Sequence, residues 1–228
     1  MARCCTPLVF CLFAVLLAGC RVCSAELACS NANTLLGMKK LTERDKQLLL
    51  DLHNNYRDLI ASGSLAEQPA AQNMLQLNWD DHAAQLAHRW ASGCQFAHNT
   101  PENKDGSPMG QNLYIKMSTR AQNVNKTFSA WVKSMVKGWF DEVQLYAYGD
   151  SFSAQTGHYT QMVWAKTARL GCGYSYYLQD FWYVGYLVCN YSPAGNYVGQ
   201  KPYRKGKINC EVHDLEPSTR YKNLCINK

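Results

Sequence analysis

Residues 172–189 read CGYSYYLQDFWYVGYLVC, two aromatic-rich runs either side of Gln179-Asp180. Aromatic and β-branched residues at this density favour extended backbone, and the polar step between the runs reads as a tight turn. The strands so predicted span about Cys172–Leu178 and Trp182–Cys189. With the turn centred between Asp180 and Phe181, Cys172 and Cys189 stand directly opposite each other. Opposed residues lie about 5 Å apart, within disulfide reach, so the hairpin predicts its own staple, Cys172–Cys189.

Upstream the pattern is helical. Thr42 and Asp45 form a capping-box pair, Leu48, Leu49, Leu52, Tyr56, Leu59 and Ile60 recur at helical spacing, and Gly63 ends the run. Ser64–Asn73 is a polar connection. A second helix starts near Asp80, carries Ala83, Leu86, Ala87 and Trp90 on one face, and stops at Gly93-Cys94. Asn99–Gly110 (NTPENKDGSPMG) is loop. A third helix is predicted from about Thr119 to Glu142 on the spacing of Val124, Phe128, Trp131, Met135 and Trp139, followed by a loop over Gly149–Gly157. From His158 the residues alternate, with His158, Thr160, Met162 and Trp164 on one face, which predicts a further strand. Helices first and strands later make the fold class α+β.

The ends of the chain set its compartment. Residues 1–25 read as a secretory signal: Arg3, an apolar stretch Leu8–Gly19 too short to span a bilayer, and cleavage before Glu26. A lipoprotein signal, with Leu17-Ala18-Gly19-Cys20 lipidated on Cys20, is the alternative. No later run reaches 18 apolar residues, so the chain is not expected to span a membrane. Behind the leader come a lead-in over 26–41, one domain over 42–200 and a short basic extension over 201–228. Six cysteines remain: Cys29, Cys94, Cys172, Cys189, Cys210 and Cys225. An even count behind a signal implies three disulfides in an oxidising compartment, and Cys210 is close enough to Cys225 to close the extension locally.

Losing Arg3 and Arg21 with the leader takes the net charge from +6 to +4, too little to argue for nucleic acid. An aromatic content of 12% excludes a disordered coil. No G-x-S-x-G, H-E-x-x-H, P-loop or dinucleotide fingerprint occurs, and no cysteine is left over as a nucleophile.

Two segments carry more specific information: Gly157–Thr167 (GHYTQMVWAKT) and Tyr186–Tyr197 (YLVCNYSPAGNY). Together with His53-Asn54, Trp79, Cys94, Gly110-Gln111-Asn112-Leu113 and Trp139-Phe140-Asp141-Glu142-Val143, they resemble the CAP superfamily of cysteine-rich secretory, antigen-five and pathogenesis-related proteins. The Gly-Gln-Asn-Leu form and the cysteine-bearing tail lean toward the antigen-five-like secreted branch of animals. The resemblance implies an α-β-α sandwich with a three-stranded antiparallel sheet between helical layers. It also implies a Cys29–Cys94 disulfide and a shallow cleft of two histidines and two acids. Those positions fall on His98, His158 and Glu142, with Gln111 in place of one acid.

An amide cannot act as a general base and binds a cation more weakly than a carboxylate. The expectation is therefore no required cofactor, but a weakly held zinc or other divalent ion on His98, His158 and Glu142, with Glu142 either a ligand or a hydrogen-bonding end to the third helix. His53, His82, His88 and His213 read as ordinary hydrogen bonders, and Asn190 as a structural amide although it formally matches N-x-S. Asn125-Lys126-Thr127 is a candidate glycosylation site. Tyr146, Tyr148 and Phe152 crowd one loop and are candidates for holding a sterol or other small lipid. Lys201, Arg204, Lys205 and Lys207 are candidates for an anionic glycan.

The expected function is that of a secreted, monomeric single domain acting by binding an extracellular protein receptor, in a venom, salivary or defence role, without catalysis. An extracellular lipid carrier and a metal-dependent hydrolase are the competing readings. The chain lacks Arg-Gly-Asp and has only Cys210 and Cys225 beyond the domain, which removes two specific toxin mechanisms.

Overall fold

Thr42 opens the first helix through the capping box its sequence predicts: its hydroxyl accepts the Asp45 N–H, and the Asp45 carboxylate accepts the Thr42 N–H at 2.9 Å. The structure, a computed structural model, describes residues 28–228, so the leader and its cleavage site lie outside the described residues. Helix α1 (Glu43–Ser62) ends at Gly63, where φ is 69°, a left-handed turn that glycine adopts without strain. Its buried face is not the leucine stripe expected. Leu49 and Ile60 are fully buried, Leu48 and Leu52 are half-buried and Leu59 is exposed, while His53, Asn54 and Arg57 face the interior.

The hairpin forms in the predicted register. Strands β4 (Arg169–Gln179) and β5 (Trp182–Ser192) pair antiparallel, Cys172 faces Cys189, and the two are disulfide-bonded with Cα atoms 4.1 Å apart. Both strands run three residues past the cysteines at the open end. Three further strands extend the sheet: β1 (Thr34–Met38), β2 (Asn78–Trp79) and β3 (Gly110–Ser118). The order is β1-β4-β5-β3, antiparallel throughout, with β2 adding a two-residue parallel pairing to β4. Strand β1 lies in the lead-in, and β3 occupies the approach to the third helix. That helix, α3 (Val124–Asp141), starts later than periodicity alone predicts, because the Asn123 side chain caps it by accepting the Lys126 N–H at 2.9 Å.

Helix α2 (Asp81–Ser92), capped by Asp80 as expected, covers one face of the sheet; α1, α3 and α4 (Gly157–Met162) cover the other, giving the α-β-α sandwich. Ala83, Ala87 and Ala91 bury their small side chains against β4, and a Cβ on Gly171 or Gly173 would fall on the backbone of α2. The larger core gathers Leu49, Ile60, Phe128, Met135, Trp139, Tyr159, Tyr174, Leu187 and Tyr191; the smaller gathers Ala87, Ala91, Leu113, Tyr177, Val184, Tyr186 and Val188.

Helix α4 replaces the strand predicted after Gly157. Tyr159, Met162 and Val163, at helical spacing, are fully buried, but Thr160 and Gln161 are buried too, so the segment has no exposed face to reveal its period. The remaining cysteines pair as Cys29–Cys94 and Cys210–Cys225. The extension is packed onto the body: β6 (Leu215–Pro217) pairs with β7 (Cys225–Asn227), and the Cys225 N–H donates to the Met74 carbonyl at 2.8 Å. No helix among the described residues is long and apolar enough to cross a membrane.

Candidate functional site

Successive residues of a strand point to opposite faces, and three consecutive residues of the edge strand β3 organise the site. The Gln111 side-chain oxygen lies 3.1 Å from His98 Nδ1, while its NH2 donates to Asn99 Oδ1 at 2.7 Å and Asn190 Oδ1 at 3.1 Å. The Asn112 NH2 donates to the His158 carbonyl at 3.0 Å and to the Tyr191 hydroxyl at 3.1 Å. The Leu113 carbonyl accepts the Trp139 indole N–H at 2.9 Å, and the Trp139 ring stacks beside His158 with centroids 6.2 Å apart. His98 and His158, distant in sequence, are thus tied to neighbouring residues of one strand.

Glu142 follows directly from the end of α3 and turns its carboxylate onto the start of α4. One oxygen accepts the backbone N–H groups of His158 and Tyr159, both at 3.0 Å; the other lies 2.6 Å from His158 Nδ1. A carboxylate here satisfies donors that a helix start leaves unpaired, and α4 has no capping side chain of its own. The carboxylate only accepts, so His158 Nδ1 donates to it. These hydrogen bonds run to the start of α4, not to the end of the third helix, where the sequence places one.

Beneath this lies a buried polar relay. His53 Nδ1 lies 2.8 Å from the Leu49 carbonyl and therefore donates to it; Nε2 then accepts from the Tyr191 hydroxyl at 2.9 Å. Tyr191 in turn accepts from Asn112, linking α1 to the His158 backbone. Burial pushes the His53 pKa down to about 4, and nearby Arg57 adds to the effect. Folded His53 stays neutral down to that pH, whereas in the unfolded chain it takes a proton near 6.5. Stability is therefore full above about pH 6.5 and falls as pH drops toward 4, by about 3 kcal/mol. Urea unfolding of wild type and His53→Gln at pH 7 and pH 4 checks this: the variant is expected to lose that much less of its stability on acidification, and parallel losses would contradict the assignment.

The residues fit a metal poorly. Among the described residues no three His, Cys, Asp or Glu side chains converge, and all of the Glu142 contacts just given serve α4. His98 and His158 each have Nδ1 facing a side-chain oxygen, of Gln111 and of Glu142 respectively.

The other candidates are placed as follows. Tyr146 is buried against Tyr159, with centroids 5.5 Å apart, and Tyr148 packs on Tyr203 at 4.9 Å; only Phe152 is exposed. The gap bounded by Tyr146, Phe152, Trp164 and Tyr197 measures about 10 Å³, room for one water and far below the several hundred Å³ of ligand pockets. Tyr146 and Phe152 border this gap, whereas Tyr148 lines a wider recess. Asn125 is exposed in the first turn of α3, while Thr127 of the same triplet is buried. Asn190 donates to the Ala83 carbonyl at 3.1 Å, a structural role. Lys201, Arg204 and Lys205 border a recess, with Lys207 exposed outside its lining.

His53 is the hydrogen bonder expected; Asn112, Tyr191 and Arg57 are the organising residues that sequence reasoning gave no role. The available signal was in α1: Leu49, His53 and Arg57 follow each other at intervals of one turn, a line of polar groups continuing a buried leucine.

Comparison with known proteins supports one placement. The model of the cysteine-rich secretory protein family, CAP, matches residues 50–191. The salivary antigen-5 of Dipetalogaster maximus is 50% identical over 231 residues, covering 100% of this chain and 92% of that protein. The venom allergen 5 of Vespula vidua is 41% identical over 174 residues, covering 72% of this chain and 82% of that one. Among solved structures, NaASP2 crystallised with Zn2+ superposes with a TM-score of 0.65 at 27% identity, covering 83% of this chain and 100% of that chain.

Proposed function

We propose, from the premise that this chain belongs to the cysteine-rich secretory protein (CAP) family, that it is exported and acts by binding a macromolecular target, without turning over a substrate. The observation that carries the reading is the state of the acids. Gln111 offers only an amide beside His98, and the Glu142 carboxylate is committed to His158 and the start of α4. A mechanism that moves protons between two carboxylates lacks one of them at Gln111 and finds the other bonded to His158 and the start of α4. Three disulfides and a doubly covered sheet leave a rigid surface, which lowers the ordering cost of recognition.

The test is saturable binding of labelled protein to intact animal cells, competed by excess unlabelled protein. The His98→Ala/His158→Ala variant is expected to retain at least half of that binding. Absence of competable binding on every cell type tried would overturn the reading.

The expectation of a weakly held divalent ion at His98 and His158 has no cluster of three His, Cys, Asp or Glu ligands behind it among the described residues. Calorimetric titration with Zn2+ is expected to give weak binding, above micromolar. In Gln111→Glu a carboxylate accepts from His98 Nδ1, and a partner of that kind is worth roughly tenfold in affinity; an unchanged titration would remove His98 from the site.

A further inference from the structure

We propose that the recess between the loop after α4 and the strand-like strap 200–205 is a binding site for a sulfated glycan chain. It rests on the binding reading above and names a partner for it. The recess measures about 430 Å³ and is lined by Lys166, Lys201, Arg204 and Lys205, by the aromatic groups Tyr148, Trp164 and Tyr203, and by the amides of Asn73 and Gln200. No carboxylate lines it, and none of the four cations is ion-paired among the described residues. Two acids line adjoining hollows: Glu67 in the groove that shares Tyr148 and Lys205, and Asp150 in the gap that shares Trp164, Gln200 and Pro202.

The backbone that carries the cations is also fixed in place. The Ala165 N–H donates to the Pro202 carbonyl at 2.7 Å, the Gln72 N–H to the Arg204 carbonyl at 2.9 Å, and the Arg204 N–H to Asn73 Oδ1 at 3.0 Å. The Tyr148 hydroxyl donates to the Tyr203 carbonyl at 2.8 Å, and Lys201 Nζ sits 5.3 Å from the Tyr148 ring centre. Unpaired cations on a pinned strap supply point charges for sulfate groups, and the half-buried Tyr148 ring offers a face for a sugar ring. The site is concave. A bilayer presents its anionic headgroups on a broad, nearly flat surface and reaches a recess of this size poorly, which favours a narrow flexible polyanion over a membrane.

The experiment measures binding of a heparin octasaccharide by calorimetry at 50 and 150 mM NaCl. Lys201→Ala/Arg204→Ala/Lys205→Ala is compared with Lys126→Ala/Lys133→Ala/Lys222→Ala, which removes equal charge elsewhere. The recess variant is expected to bind at least tenfold more weakly and the control within twofold of wild type, with affinity falling as salt rises. Far-UV circular dichroism verifies that both variants are folded. Equal losses in the two variants would mean that net charge alone attracts the polyanion and would overturn the site. Retention on phosphatidylserine vesicles with no octasaccharide binding would overturn it in favour of a membrane. Absence of octasaccharide binding while competable cell binding persists would overturn the glycan and leave the binding reading standing; loss of both would end the two together.

Discussion

Arg57→Met is expected to cost about 4 kcal/mol of stability, lowering the melting midpoint by about 10 °C in a domain of this size. Arg57 is completely buried in α1 with no carboxylate beside it. Its guanidinium instead donates six hydrogen bonds to five backbone carbonyls: Leu75 from Nε and Nη2 at 2.8 and 2.6 Å, Met162 and Trp164 from Nη1 at 2.8 and 2.9 Å, and Ala165 and Thr167 from Nη2 at 3.3 and 3.0 Å. Burial pushes its pKa down to about 9, which keeps it charged at neutral pH. Methionine fills similar space but supplies no donor. The Trp164 and Ala165 carbonyls keep backbone N–H partners, from Thr167 and Leu75 respectively, both at 3.1 Å. Leu75, Met162 and Thr167 lose their guanidinium donor inside the protein, at about 1–3 kcal/mol for each buried group left unsatisfied. Arg57→Lys is expected to recover less than half of the loss, since three donors on a flexible stem cannot span five carbonyls. Denaturant unfolding measures both; a loss below about 1 kcal/mol in Arg57→Met would show that water replaces the guanidinium freely. Because these carbonyls belong to the end of α4 and the loop after it, the same variant should loosen the segment carrying His158.

Gly171→Ala is the second large effect, about 3 kcal/mol, and it strikes the opposite face of the sheet. An added Cβ would fall on the backbone N–H of Ala84, inside the first turn of α2, where that N–H donates to the Asp80 carbonyl at 3.0 Å. Neither group is the free end of a flexible side chain, so the whole helix must move off β4, and forced overpacking typically costs 1–3 kcal/mol or more. Hydrogen exchange should accelerate across α2 and stay unchanged in α1. Full stability in this variant would mean that the helix rides less tightly on the sheet than the glycines at 171 and 173 indicate.

These two positions also mark how far the sequence could be read. The hairpin and its Cys172–Cys189 staple were legible because cross-strand pairing is local and a two-fold period names its own opposite residues. The start of α1 was legible because Thr42 and Asp45 satisfy each other without help from the rest of the chain. Strands β1 and β3 were not: each is short or mixed in polarity and gains its meaning from a partner strand far along the chain. Helix α4 was misread because burial on all sides erases its period. The leucine stripe on α1 was misplaced for a related reason: the positions facing the core carry the donors that irregular backbone over 162–167 requires, and no local rule reveals that need. His98, His158 and Glu142 could be picked out only by resemblance, because the groups they meet lie far along the chain or on another helix.

The central claim is that this site organises a scaffold and does not turn over substrate. The most direct measurement compares wild type with His98→Ala/His158→Ala for hydrolysis of nitrophenyl esters, phosphate esters and a peptide library, with and without added Zn2+. The account predicts rates indistinguishable between the two proteins under every condition. Turnover by the wild type that disappears in the double variant would contradict it.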